Sequence, residues 1–118
     1  MSVTPIFKQG ETLFASIARS LTDTEMIALR DELAVRIAET RATGVVIDLT
    51  ALDVLDSFAC GTLRGIAAIA RLRGASTVLV GIQPAVAFAM TQLGLRFDDL
   101  TTALDLDDAL DELRRRRV

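Results

Sequence analysis

The segment that follows Thr22 alternates apolar and polar positions with the period of an α-helix. Its apolar residues recur at spacings of three and four, which predicts one buried stripe: Met26, Leu29, Leu33 and Ile37. Thr22 and Glu25 have the spacing of a capping box, so the helix should begin there. Gly44 is the expected C-cap at its other end.

Shorter apolar runs predict strands on both sides of this helix. Residues 6–17 resemble two short strands that turn at Gln9-Gly10. The second of them should bury one alternating face: Leu13, Ala15 and Ile17. Residues 45–49 and 77–80 are short runs rich in β-branched residues, typical of central strands buried on both faces. Residues 101–103 predict a brief last strand.

Three more helices follow from periodicity and from glycine and proline positions. One should run from about Phe58 to Arg73 and end at Gly74. Small residues are frequent in it and should let it approach a sheet closely: Ala59, Gly61, Gly65, Ala67, Ala68 and Ala70. A shorter helix should begin at Pro84 and end at Gly94. Its apolar stripe should be Val86, Met90 and Leu93.

The last helix carries opposite charges at its two ends. Asp105 is its expected N-cap, and its inward residues should be Leu106, Leu110 and Leu113. Asp107 and Asp108 lie in the first turn and Arg114 to Arg117 in the last, which suits the helix dipole. A tail that contacts a membrane or nucleic acid is the alternative interpretation of this arginine run.

The order strand, helix, strand, helix predicts parallel strands joined by right-handed crossovers. We expect an α/β fold in which residues 1–118 form a single domain. Its sheet should be mixed but mostly parallel, with four to five strands and about four helices.

Composition narrows the function. Hydrophobic residues make up 51% of the 118, with no Trp or Tyr, which predicts an aliphatic core. The net charge of -3 disfavours a nucleic-acid binder, which would need a basic face. No apolar stretch approaches the ~18 residues of a membrane span, and residues 1–20 lack the order of a signal peptide. A single cysteine, Cys60, fits a reducing compartment. We therefore expect a cytoplasmic protein that binds neither nucleic acid nor membrane.

The usual catalytic arrangements are missing from the sequence. Without His there is no Ser-His-Asp or Cys-His arrangement and no zinc site of the common kinds. No glycine-rich phosphate loop is present. The acid pairs Asp98-Asp99 and Asp107-Asp108 are adjacent in sequence, so they should point apart and stay solvated. We expect no enzymatic activity, no cofactor and no metal.

Residues 48–57 connect the carboxyl end of a buried strand to the start of a helix. In open α/β folds this edge is where ligands and partners bind. Ser57 stands where the helix N-cap should be. One interpretation is purely structural, with Ser57 a cap and Asp56 a turn residue. The other is a phosphoacceptor, because a phosphate on Ser57 would gain from the helix N-terminus and repel Asp56 and Asp53.

Several runs resemble the STAS domain, and most of all the RsbS-type antagonist of bacterial stressosomes. They are Gly-Val-Val-Ile-Asp-Leu-Thr at 44–50, Asp56-Ser57, Val-Leu-Val-Gly-Ile-Gln-Pro-Ala-Val-Ala at 78–87, and Thr-Ala-Leu-Asp-Leu at 102–106. The similarity covers nearly the whole chain.

This resemblance implies a phospho-switch scaffold. RsbS-type proteins co-assemble with RsbR-type STAS paralogues and hold a serine kinase of the RsbT type, which is released when it phosphorylates a serine of RsbS. That serine falls on Ser57, and an RsbX-type phosphatase resets the system. We expect homodimers and large hetero-oligomers. The residues expected to flank the site and bind partners are Asp48, Asp53, Asp56 and Phe58.

Two departures choose within the family. Anti-anti-sigma factors that bind an anti-sigma kinase one-to-one usually carry Asp-Ser-Ser/Thr-Gly, whereas this chain has Asp56-Ser57-Phe58-Ala59. Direct antagonism of that kind is the alternative function. Val80 stands where RsbS-type chains often have Thr, which leaves Ser57 as the candidate phosphoacceptor. A receiver-like phospho-aspartate domain is disfavoured, because the sole lysine, Lys8, is in the N-terminal turn.

Overall fold

Five strands and four helices make up the part of the chain that a computed structural model describes, residues 4–94 and 100–116. In chain order they are β1 (Ile6–Gln9), β2 (Thr12–Ser16), α1 (Asp23–Thr40), β3 (Gly44–Asp48), α2 (Ser57–Leu72), β4 (Ser76–Val80), α3 (Pro84–Gln92), β5 (Thr101–Ala103) and α4 (Leu106–Arg116). The predicted pair Asp98-Asp99 and residue Arg117 lie outside the described residues.

The strands form one mixed sheet in the order β1-β2-β3-β4-β5. β1 and β2 are an antiparallel hairpin, and β2 to β5 are parallel. The turn of the hairpin is at Gly10-Glu11, one residue later than predicted. Because each crossover helix returns on the same side, α1, α2 and α3 cover one face of the sheet and α4 packs on the other. The predicted fold class is confirmed.

The sheet face that is covered by α1, α2 and α3 contains the larger core. The predicted stripe of α1 is buried as expected, and the capping box is present. Glu25 N donates to Thr22 Oγ1 at 3.1 Å, and Thr22 N donates to Glu25 Oε1 at 2.9 Å. The predicted C-cap is wrong: the cap is Arg41 in the left-handed conformation. Gly44 instead starts β3, where an added Cβ would lie 2.8 Å from Leu113 Cδ1.

The small residues of α2 divide between two environments. Ala59, Ala67 and Ala70 are buried against the sheet, as predicted. Gly61 does not approach the sheet, because a Cβ added there would meet nothing within 4 Å. For a Cβ added at Gly65, the nearest atom is Arg30 Cδ, which belongs to α1 and not to the sheet. The prediction that the two glycines allow close packing on the sheet is therefore wrong. In α3, Val86 and Met90 are buried as predicted, whereas Leu93 is exposed.

α4 covers only part of the second face. Asp105 caps it as predicted, since Asp108 N donates to Asp105 Oδ1 at 2.9 Å. Leu113 is buried as predicted. Leu106, which was predicted to face inward, is 46% exposed, and Ala109 is buried in its place. Leu106 is exposed because it begins the helix beyond the carboxyl ends of β4 and β5.

Candidate functional site

Residues 49–56 form the loop that leads from the central strand β3 to α2. Three leucines at every third position hold it to the core: Leu49, Leu52 and Leu55. Leu49 N donates to Val80 O and Leu52 N donates to Leu49 O, both at 2.9 Å. The residues between these anchors are exposed: Thr50, Ala51, Asp53 and Val54. The loop therefore has a fixed inner side and presents its other side chains to solvent.

Hydrogen bonds also tie this loop to the neighbouring strand end. Asp48 Oδ1 accepts from Thr50 N at 2.8 Å and from Thr50 Oγ1 at 2.5 Å. Thr50 O accepts from Gln83 Nε2 at 2.7 Å, and Gln83 is the N-cap residue of α3. Gly81 makes room for the loop, because a Cβ there would lie 2.1 Å from Thr50 Oγ1. Thr50 thus connects the loop after β3 to the start of α3.

The N-cap of α2 is Asp56, not Ser57 as predicted. Asp56 Oδ1 accepts from Ala59 N at 2.8 Å, which satisfies one of the free N–H groups of the first turn. Ser57 is the first residue inside the helix and is exposed. Its hydroxyl makes no hydrogen bond within residues 4–94 and 100–116. Since Asp56 already supplies the cap, the Ser57 hydroxyl is not needed for it.

Apolar side chains flank this serine on the surface. Val54 is 61% exposed and Phe58 is 41% exposed. A small cleft of about 100 Å³ lies behind Val54 and extends to Leu21 and Met26. Neighbouring exposed apolar groups are typical of a surface that another protein covers. The exposure of Val54 was not predicted from the sequence. The loop contains four large aliphatic residues, and the sequence does not show which three of them are buried.

The charged residues next to Ser57 along the chain are acidic. From Leu49 to Leu63 the chain has two acids, Asp53 and Asp56, and neither Arg nor Lys. The helix N-terminus provides a partial positive charge that offsets part of this.

The nearby thiol of Cys60 is buried. Burial, and to a smaller degree the charge of Asp56, raise the pKa of Cys60. The thiol therefore stays protonated near neutral pH and is a poor nucleophile. Ser57 is the exposed hydroxyl of this site, and Cys60 contributes packing.

The structure groups four of the five predicted site residues. Asp53, Asp56, Ser57 and Phe58 lie on the loop and the first turn of α2. Asp48 does not point to this cluster: it shares the face of Val46 and lines a groove beside α4. Its contact with the site is indirect, through the hydrogen bonds that fix Thr50.

Within the described ranges, no group of three or more His, Cys, Asp or Glu side chains is placed to hold a metal ion. No helix in that part of the chain is both long and apolar enough to cross a bilayer.

Comparison with known proteins supports the resemblance. A serine-to-glutamate variant of RsbS from Moorella thermoacetica is 36% identical, with a TM-score of 0.87 and coverage of 98% of each chain. A chain from the stressosome, described as a signal integration and transduction hub, is 36% identical with a TM-score of 0.79, over 96% of this chain and 98% of that chain.

A relative in Bacillus subtilis (strain 168), the RsbT co-antagonist protein RsbRC, is 32% identical over 82 residues. The match covers 69% of this chain but only 29% of RsbRC, so the similarity is to one part of a longer protein. A sequence model of the STAS domain matches residues 7–109. Together with the observed fold, this match establishes that the chain belongs to the STAS domain family.

Proposed function

We propose that this chain is a non-enzymatic phospho-switch scaffold of the RsbS type in the cytoplasm. It co-assembles with RsbR-type STAS paralogues and sequesters an RsbT-type serine kinase. The kinase phosphorylates Ser57 and is thereby released, and an RsbX-type phosphatase restores the free hydroxyl. The observation that carries this proposal is the exposed Ser57 hydroxyl at the start of α2, beside a separate capping residue.

The effect of phosphorylation follows from electrostatics. A phosphate adds about 1.5 to 2 negative charges to a surface that already carries Asp53 and Asp56. Since Asp56 occupies the N-H of Ala59, the phosphate need not replace the cap, and the helix keeps its start. A partner that covers Val54 and Phe58 would have to desolvate the phosphate, which is costly without a cationic partner. The switch therefore acts by local repulsion and needs no refolding.

The similarity to RsbS and to the stressosome chain, both at 36% identity over nearly the full length, supports the scaffold role. The relative RsbRC supports an RsbR-type partner, because it carries a similar segment and is named an RsbT co-antagonist. Homodimers and larger hetero-oligomers are the assemblies expected of such a scaffold.

Kinase capture tests the switch. We expect Ser57→Asp to reduce retention of the cognate kinase in a pull-down by about tenfold or more, because it places a charge within the covered surface. Ser57→Asn is the matched control: it has nearly the same shape without the charge and should retain the kinase. Equal retention by the two variants, with unchanged thermal unfolding, would rule out an electrostatic switch.

The alternative function is direct antagonism of an anti-sigma kinase in a one-to-one complex. Size-exclusion chromatography with the purified partners distinguishes the two. A very large particle with the RsbR-type paralogue supports the scaffold, whereas a small complex with a kinase alone supports direct antagonism.

A further inference from the structure

The second face of the sheet has an open region beside α4. Its floor is formed by Phe14 and Val46 and by Phe7, whose ring stacks on that of Phe14 with centroids 5.1 Å apart. The groove has a volume of about 370 Å³, and Leu104 and Leu106 form its wall. A second groove of about 390 Å³ shares Phe14 and continues along α4 past Leu110. The two grooves share Phe14, and we refer to them together as the trough.

The apolar residues of this trough are unusually exposed. Phe7 is 56% exposed, Leu104 is 86% exposed and Leu106 is 46% exposed. Three large apolar side chains around one groove are more than the scattered apolar residues of an ordinary surface. The trough therefore exposes apolar side chains in the way that a protein–protein interface does.

One end of the trough is negatively charged. Asp48 and Asp105 line it where the parallel strands end. Asp48 accepts hydrogen bonds from Thr50, and Asp105 accepts one from the backbone of Asp108. Neither carboxylate has a cationic partner among the residues that the structure describes. The groove at this end is lined by no Arg or Lys.

The dimensions suit a helix. Two strand separations, from β1 to β3, span about 10 Å, which matches the diameter of an α-helix with its side chains. α4, which forms the wall, has 11 residues and is about 16 Å long. A partner helix lying beside α4 could therefore cover the exposed side chains of Phe7, Leu104 and Leu106.

A second copy of this chain is a poor occupant. A reciprocal contact whose two-fold axis passes through the acidic end of the trough would bring Asp48 and Asp105 of both copies together, and like charges repel. The side of α4 that faces away from its own sheet is polar, with Asp107, Asp111 and Arg115 exposed. It would place charges on the apolar floor of the other copy's trough.

We propose that this trough binds an amphipathic helix of a partner protein. Its apolar face contacts Phe7, Leu104 and Leu106, and its Lys or Arg side chains lie against Asp48 and Asp105. This inference goes beyond the phospho-switch, because the trough lies on the α4 face and Ser57 begins a helix on the other. The two surfaces let one small domain hold two partners at once.

A model peptide tests this surface directly. The probe is a fluorescein-labelled 14-residue helical peptide of Leu and Lys, and the reference peptide has Glu in place of each Lys. We expect the Leu/Lys peptide to bind the full chain in an anisotropy titration at least about tenfold more tightly than the reference. Phe7→Ser and Leu104→Ser should each weaken binding about tenfold, as expected for interface anchors.

The charge contribution needs a matched control. The double variant Asp48→Asn and Asp105→Asn removes two charges and keeps side chains that can accept the same backbone hydrogen bonds. It should weaken peptide binding about tenfold. Asp31→Asn with Glu39→Gln removes the same charge from α1 and should change binding less than about twofold. Ser57→Asp should leave binding unchanged, so failure here is separate from failure of the phospho-switch.

Three results would overturn the proposal. One is equal weakening by the α1 double variant, which would indicate unspecific attraction to an acidic protein. Another is the absence of binding to a chain whose circular dichroism shows it folded. The third is self-association of the chain in sedimentation velocity that Phe7→Ser abolishes, which would make a second copy the occupant.

Discussion

At the start of α2, two adjacent residues have separate tasks. Asp56 caps the helix, and the hydroxyl of Ser57 makes no hydrogen bond to any residue that the structure describes. Position alone suggested that Ser57 was the cap, and both residue types are good N-caps. The choice between neighbours depends on backbone geometry, and Asp56 has the extended conformation of a cap, with φ -87 and ψ 175. This one-residue shift strengthens the case that Ser57 is functional.

The division of tasks predicts unequal stability effects. Asp56→Ala should lower the free energy of unfolding by about 1 kcal/mol, because Ala59 N loses its acceptor. Ser57→Ala should change it by less than about 0.5 kcal/mol. Urea unfolding followed by circular dichroism measures both. A larger loss for Ser57→Ala than for Asp56→Ala would mean that the serine is the structural cap.

At the same scale, Glu25 predicts a dependence on pH. Hydrogen bonds from Arg19 and from the backbone of Thr22 lower the pKa of Glu25 from 4.5 to about 2. Its stabilising contribution is therefore complete above the unfolded value near 4.5 and is lost as the pH falls towards 2.

We expect the difference in unfolding free energy between the natural chain and Glu25→Gln to be largest at about pH 6 to 7 and to shrink below about pH 4. Glu39→Gln, on the same helix but outside the capping box, serves as the control. If this difference in unfolding free energy stayed constant down to about pH 3, the lowered pKa of Glu25 could not be its cause.

At the scale of elements, periodicity predicted most of the fold. The stripe of α1 is buried as predicted because four apolar residues share one face and no polar residue interrupts it. Prediction failed where a residue has more than one use. Gly44 could have ended a helix, but it starts a strand under Leu113. The apolar trough was also missed, because it depends on the hairpin register that places Phe7 opposite Phe14.

Gly81, which follows β4, lies very close to Thr50 in the loop after β3. Its φ is +70, and an added Cβ would meet Thr50 Oγ1 at 2.1 Å. Gly81→Ala should destabilise the fold by about 2 kcal/mol, from the left-handed backbone and from the contact. Thr50→Ala in the same chain should restore part of this, because it removes the hydroxyl but not the backbone conformation.

The matched control is Gly61→Ala, in the exposed middle of α2, where a Cβ meets nothing within 4 Å. It should stabilise the chain by up to about 1 kcal/mol. Equal effects of the two glycine replacements in urea unfolding would mean that the contact between Gly81 and Thr50 has no energetic weight.

At the scale of the whole molecule, the sheet separates two surfaces. One carries Ser57 at the start of α2, with Val54 and Phe58 beside it. The other carries the trough along α4. The family was predictable from the residues at both ends of α2, whereas the separation of Asp48 from Ser57, both residues of the candidate site, was not. Asp48 and Ser57 are nine positions apart in sequence, and the faces they belong to follow only from the alternation along β3 and the packing of α2.

The central claim is that Ser57 is the phosphoacceptor. The most direct measurement is the intact mass of the chain after incubation with its cognate serine kinase and Mg-ATP. We predict the addition of a single phosphate to the natural chain and none to Ser57→Ala, while Asp56→Asn, which keeps a capping side chain, still accepts one. Phosphate that is added to Ser57→Ala as readily as to the natural chain would contradict the account.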